Sequence, residues 1–405
     1  MAFTVVKTVG TTGVFSTPQL WEDGAPADLT TAEKSAAGTF AVAQFIQGEV
    51  INFVGSGAVG KFLDTDSTGV GTGTYIVYGV VSGNIAASDV ATGATSGATC
   101  IISSGTPQDT GIIWQGQQQN QEFVSTSGIG ALYATGSTTS TTAYKEYTTV
   151  AGASFQDNAN VRTNGLRYNA SNGAGLRSTA AYNNYPCISQ ENYFRISKLQ
   201  LHAEAAYEAV RIDNIGIIKD CIVQGPLCGT WGNVALGGSA INCCFIRTGS
   251  GGNGISNGNS ATVINCTIVR PSNFTAAGTV FIGSYGTATY TNCAFFGFTT
   301  LASGSTTRTY AYCGTDLTAP TGTGNIGSLT YANQFEQPSN AGGVMDFRMK
   351  SGADLDNAGN TDATNAPNDI SATVRATGLD GDIGAWELLA AAAEEEFIPP
   401  VMIFG

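Results

Sequence analysis

Ile241-Asn242-Cys243-Cys244-Phe245 returns as Ile264-Asn265-Cys266-Thr267-Ile268 and as Thr291-Asn292-Cys293-Ala294-Phe295, after a first copy at Lys219-Asp220-Cys221-Ile222-Val223. The cysteines stand 22, 23 and 27 residues apart. Weaker copies flank them at Lys198-Leu199-Gln200-Leu201 and at Tyr312-Cys313. Each copy is one polar residue, one small apolar residue, then two or three β-formers, too short and too β-rich for a helical repeat. A period of this length built on short strands indicates a solenoid. The expected fold is all-β: a right-handed parallel β-helix whose coils stack at the ~4.8 Å strand spacing. In it Leu199, Cys221, Cys243, Cys266 and Cys293 form one inward stack. Asp220, Asn242, Asn265 and Asn292 form a ladder of polar side chains at one turn.

Outward from the repeat, the composition agrees. Glycine is 53 of 405 residues, and only 12% are charged, so turn formers abound and helix formers are few. The division expected is an N-terminal arm over 1–40, a small all-β module over 41–105, the β-helix over 122–388 and an apolar tail over 389–405. The module carries an internal repeat at an offset of 40 residues, Glu49-Val50 through Ser56-Gly57-Ala58 against Asp89-Val90 through Ser96-Gly97-Ala98. At roughly 22 residues per coil the β-helix segment allows on the order of a dozen coils. Gln115 to Gln119 and Gln121 read as a polar stretch without evident structure.

A net charge of −13 argues against nucleic acid and anionic membrane surfaces as partners. No apolar run is long enough to span a bilayer, and the start lacks the pattern of a signal peptide. Nine cysteines read as buried thiols rather than a disulfide framework, which fits synthesis in a reducing cytoplasm.

The motifs with chemical meaning are weak. Gly249-Ser250-Gly251-Gly252-Asn253-Gly254 matches G-x-G-x-x-G but lacks a following helix, so it reads as a solenoid turn. Gly254-Ile255-Ser256-Asn257-Gly258 matches a nucleophile elbow without the helix, and the single histidine, His202, lies two coils earlier. Glycan cleavage needs paired carboxylates or a base with a cation site. From Cys221 to Thr315 there is no Asp and no Glu. Acids cluster elsewhere, at Glu191, Glu204 and Glu208 and along the C-terminal region, where Asp354 and Asp356, like Asp64 and Asp66, could hold a cation. Solvated loop acids are the commoner reading of such patterns. No catalytic residue, metal site or cofactor is assigned. Arg247 and Arg270 each follow a repeat strand and read as stacked on an outer face, either as a two-cation patch for an acidic partner or as a solubilising edge. Phe397, Ile398, Val401, Met402, Ile403 and Phe404 form an apolar strip that needs a cover, and they are assigned to partner binding.

Phe155-Gln156-Asp157-Asn158, Leu166-Arg167-Tyr168-Asn169, Ala261 to Pro271, and Thr364 to Ile370 through Asp382-Ile383-Gly384-Ala385-Trp386-Glu387 resemble right-handed parallel β-helix proteins encoded by tailed bacteriophages. The closing Asp-Ile-Gly-Ala-aromatic-Glu phrase is also similar to pectin-lyase-like β-helices. The resemblance covers about 122–388. It implies the fold and a virion setting, with synthesis in the host cytoplasm, and carries over no catalytic residue. The function expected is a non-enzymatic capsid decoration or cement protein, a homotrimer contacting the major capsid protein or another virion protein. The alternative is a tailspike or tail fibre that binds or depolymerises host glycan.

Overall fold

The computed structural model describes residues 2–388 except 31–32, 43, 47, 66–74, 84, 127–129, 180–184, 205–207, 213–214, 227–233, 237, 250–252, 258–260, 274–277, 284–285, 306, 341–343, 361–365 and 377–380. Three parallel sheets wind through the chain as a β-helix. Sheet A stacks Lys145–Thr149, Arg195–Ser197, Ile217–Lys219, Ser239–Ile241, Ala261–Ile264, Thr287–Thr291 and Thr307–Ala311. Sheet B stacks Glu122–Ser125, Gly175–Ser178, Gln200–Ala203, Ile222–Gly225, Cys244–Arg247, Thr267–Val269, Ala294–Phe296 and Gly314–Thr315. Sheet C runs from Gly130–Ala134 to Thr300–Gly304. Each coil visits A, B and C in turn. One side chain from every inward position fills a continuous core, among them Phe123, Leu176, Leu201, Val223, Phe245, Ile268 and Phe295.

The N-terminal residues are not an arm. Strand β1 (Ala2–Val9) pairs in parallel with the end of β7 (Thr99–Gln118), Val5 against Trp114 and Val9 against Gln118. It is therefore the outermost strand of sheet A, with Val5 and Val9 fully buried. Helix α1 (Pro18–Asp23) closes this end of the core. Thr17 caps it by accepting from the Leu20 N–H, and proline occupies its first turn, where a missing N–H costs nothing. Trp21 is fully buried over Tyr147 at 5.0 Å between ring centroids. Gly116 must lack a side chain, because a Cβ would lie 2.6 Å from the Trp21 ring. The glutamine stretch is ordered as part of β7, and fully buried Gln118 donates to Gln121 O and Gly175 O at 2.8 and 3.0 Å. Lys145 joins α1 to the coils by buried ion pairs to Glu22 and Glu191 at 2.5 and 2.8 Å.

The small module is inserted between the first two strands of sheet A. Its strands are β2 (Glu33–Val42), β3 (Val50–Phe53), β4 (Val59–Thr65), β5 (Tyr75–Ser82), β6 (Val90–Gly93) and the first half of β7. They pair in the cycle β2-β5-β4-β3-β6-β7 and back to β2, all antiparallel, so the sheet closes into a six-stranded barrel without a free edge. The 40-residue repeat becomes an internal two-fold. Glu49 accepts from the Thr95 and Ser96 N–H groups at 3.0 and 2.9 Å, and Asp89 accepts from the equivalent Gly55–Ser56 turn. Each half thus locks the other's turn. Burial opposes ionisation of both acids, yet these donors hold them below the usual carboxylate range.

The β-helix is shorter than the sequence allowed. Sheet A has nine strands counting β1 and β7, about 38 Å of stack. After Thr315 the chain turns back and runs along the outside of sheet B as a strap, with one hairpin, Phe335–Gln337 against Asp346–Met349. Phe335, Phe347, Met349, Leu355, Ile383 and Trp386 form a second core against the outward side chains Ile222, Cys244, Ile246, Val269 and Phe296. The sheet B strands Ile222–Gly225, Cys244–Arg247, Thr267–Val269 and Ala294–Phe296 are consequently buried on both faces, whereas Thr287–Thr291 in sheet A alternates exposed and buried. Prolines and the absence of a strand period between 316 and 388 are the signature of this strap rather than of loose coils.

Candidate functional site

The repeat phrase is the corner between sheets A and B. Lys198, Asp220, Asn242, Asn265, Asn292 and Tyr312 all adopt left-handed backbone, with φ between 51° and 62°. One such residue turns the chain between two sheets, and Asn and Asp bear that conformation best among residues with a side chain. The next residue points inward, giving a fully buried column of Leu199, Cys221, Cys243, Cys266, Cys293 and Cys313. None of these cysteines is in a disulfide. Each thiol of the column donates to the carbonyl two residues back, as Cys243 Sγ does to Ile241 O at 3.2 Å. Burial pushes the Cys243, Cys293 and Cys313 thiols well up, whereas at Cys266 burial is outweighed by the bonds from Cys243 and Cys293, which lower the thiol to about 5; all are fully buried, so no thiol of the column is open to a reactant.

The polar column serves the strap more than itself. Only Asn242 and Asp220 are linked, Nδ2 to Oδ1 at 3.1 Å. Asn242 also donates to Asn368 O, and Asn292 Oδ1 accepts from the Asn360 N–H at 2.7 Å. The closing phrase sits here. Gly384, at φ 107°, packs where a Cβ would meet Thr267 Oγ1 at 2.7 Å, and the Ala385 N–H donates to that hydroxyl at 2.9 Å. Asp369 accepts from the Ser371, Thr373 and Glu387 N–H groups and from Arg162. Glu387 pairs with buried Arg375 at 3.1 Å, and Arg375 reaches Gly384 O at 2.7 Å. Arg162 covers the Trp386 ring at 3.9 Å. Burial raises the Asp382 carboxyl to about 7, although the Asn357 and Leu388 N–H groups donate to it. These acids are a clasp, each committed to backbone or arginine.

Arg247 and Arg270 are not on an outer face. Both are 1% exposed. The registers Val223–Phe245 and Phe245–Ile268 set the inward column, and residues two further along a strand point the same way. Arg247, the last residue of its strand, therefore points inward, and with Arg270 equally buried just beyond its strand the two form no surface patch. The remaining sequence candidates disperse. Asp354 accepts from Gln334 at 2.7 Å and Asp356 from Asn357 at 2.7 Å, while Asp66 lies outside the described residues. No group of three or more His, Cys, Asp or Glu suited to a metal occurs among the described residues. Asn253–Asn257, where the two glycine motifs overlap, is a strand of sheet C. The tail residues Phe397, Ile398, Val401, Met402, Ile403 and Phe404 also lie outside the described residues.

One constellation emerges that the sequence did not assemble. The registers Glu122–Gly175–Gln200 and Val124–Arg177–His202 bring Glu122, Arg177 and His202 together on the outer face of sheet B, beyond the strap. Tyr168 folds over them, 4.4 Å from the His202 ring, and donates to Glu122. Arg177 bridges Glu122 and Glu204 at 3.3 and 2.6 Å. Burial and then the Glu122 bond hold the Tyr168 phenol far above its ordinary value, and burial lowers His202. At neutral pH Tyr168 keeps its proton, Glu122 and Glu204 are paired with Arg177, and His202, its pKa lowered, is a neutral imidazole. The nearby crevice between Phe155, Leu166, Ile222 and Trp386 has room for about one water molecule. No family model, no curated protein and no solved structure matches the chain.

Proposed function

We propose that this chain is a non-enzymatic structural protein of a bacteriophage particle, a decoration or cement protein acting on the head shell as a homotrimer. One observation supports the non-enzymatic part: the face of sheet B from Ile222 to Phe296 is filled by the chain's own strap. Reaction chemistry needs an accessible concave site with uncommitted groups. The virion setting rests on the sequence resemblance. A cement protein needs rigidity and surface rather than a cleft, which suits a solenoid clasped along one side and capped by α1. Particles assembled without the chain should lose heat or chelator resistance and regain it when purified protein is added back. Unchanged resistance in both cases would refute the reading.

The Tyr168–His202 stack with Arg177 favours a second reading, a tail adhesin for host glycan. An aromatic face beside a guanidinium is suited to an acidic sugar. Purified protein should neither bind nor cleave host polysaccharide if the first reading holds. Binding abolished by Tyr168→Ala would favour the second.

A further inference from the structure

The barrel carries an exposed face of unusual chemistry. Antiparallel registers place Val50 beside Lys61 on β4, Asn52 between Val59 on β4 and Thr92 on β6, and Val90 beside Ile101 on β7. The Val54 N–H bonds Val90 O and the Ala94 N–H bonds Val50 O, so those two residues join the same face. The result is a continuous surface in three rows across four strands: Lys61, Val50 and Ala94; Val59, Asn52, Thr92 and Thr99; Val54, Val90 and Ile101. Val54 is 71% exposed, Ile101 46% and Val50 45%. Among the described residues four of the eleven exposed large apolar side chains fall between 46 and 101.

Charge has been removed from this face. Its only ionisable member is Lys61, at one corner, in a chain of net charge −13. The two acids that lead into β3 and β6, Glu49 and Asp89, are folded into turns at 6% and 2% exposure. Strand propensity alone does not require valine here. The exposed face of sheet A meets the same need with hydroxyls, at Thr262, Thr287, Thr289, Thr307 and Thr309. A valine and isoleucine face is costly in water and is retained where a partner covers it.

We propose that this barrel face is the surface by which the chain docks on an uncharged, weakly polar protein surface of the particle shell. The proposal rests on the structural reading above and names its contact. Size argues against a second copy as occupant. The face offers roughly 300–400 Å² of apolar surface, about the largest patch a monomer ordinarily carries. A stable pair of free copies needs about 800 Å² from each. A contact this small suits a partner that is gripped at more than one point.

The test uses the full chain and particles assembled without it. Val54→Glu with Val90→Glu should keep the melting temperature and lower particle occupancy at least tenfold in a sedimentation assay. Thr262→Glu with Thr289→Glu, on sheet A, should leave occupancy unchanged. If the barrel variant binds like the unaltered chain, the face is not the contact. If the unaltered chain self-associates in ultracentrifugation and the barrel variant does not, the occupant is a second copy and the shell assignment is wrong. If the unaltered chain binds no particle while remaining monomeric, the structural reading itself falls and takes this partner with it. Should the paired glutamates unfold the barrel, Val54→Lys alone provides the same comparison.

Discussion

Replacing Trp386 by alanine should detach the strap while leaving the coils intact. Trp386 is 4% exposed and packs in the second core with Phe155, Leu166 and Ile222. Truncating a buried tryptophan costs about 3–5 kcal/mol. Losing the Arg162 guanidinium over the ring adds about 0.5–2 kcal/mol. A change of about 4–6 kcal/mol raises the open fraction of the strap by roughly three to four powers of ten. The pleat supplies the assay. Cys243 and Cys244 are consecutive residues that face opposite ways, Cys244 under the strap and Cys243 in the inner column. In Trp386→Ala, Cys244 should react with a thiol reagent at least a hundredfold faster, with Cys243 and Cys266 still protected, as read by peptide mass spectrometry. Unchanged protection of Cys244 would refute the strap. Equal labelling of Cys243 and Cys266 would mean that strap and coils open together.

Three further outcomes follow from the same geometry. Cys266→Asp should yield no soluble protein, since an unpaired charge in the inner column costs several kcal/mol; a folded, soluble variant by circular dichroism would contradict the stack. Lys145→Met leaves Glu22 and Glu191 buried without their cation and should lower stability by about 3–5 kcal/mol in denaturant, and a loss under 1 kcal/mol would show that α1 is held otherwise. For Asp382 the folded value, about 7, lies above the ordinary 3.8, so the clasped strap binds the proton more tightly than the open one. Its stability should be greatest below about pH 4, fall by up to about 1.4 kcal/mol per unit as pH rises towards 7, and stay level above that. Cys244 should therefore label faster at pH 7.5 than at pH 5.5 once corrected for thiolate fraction, and Asp382→Asn should flatten the difference.

The coil was legible because it repeats. One left-handed residue, one inward leucine or thiol and a short strand recur at six successive A–B corners, and a period of that length is visible without structure. Arg247 and Arg270 were misplaced although the information was present. Arg247 lies two residues after inward Phe245 on one strand, and an even spacing in a strand keeps the same face. The strap was not legible, because its side chains satisfy no period of their own and fit a surface made by other coils. Its one recognisable phrase, Asp382 to Glu387, marked a clasp whose partners lie as far away as Asn242 and Arg162. The barrel's 40-residue repeat was readable, but its closure depends on β2 meeting β7, from Glu33 against Thr110 to Val42 against Thr99, which no local pattern encodes. β1 reads as an arm because one strand with two buried valines carries too little alternation to stand out. The Glu122, Tyr168, Arg177 and His202 constellation needed the register of three strands before its members could be seen together.

A density map of the intact particle tests the central claim most directly. The account requires many copies spread over the head lattice, each with the barrel face of Val50, Val54, Val90 and Ile101 against the shell and the threonine face of sheet A turned to solvent. A few copies confined to the tail, with the Tyr168 and His202 surface pointing away from the particle, would contradict it.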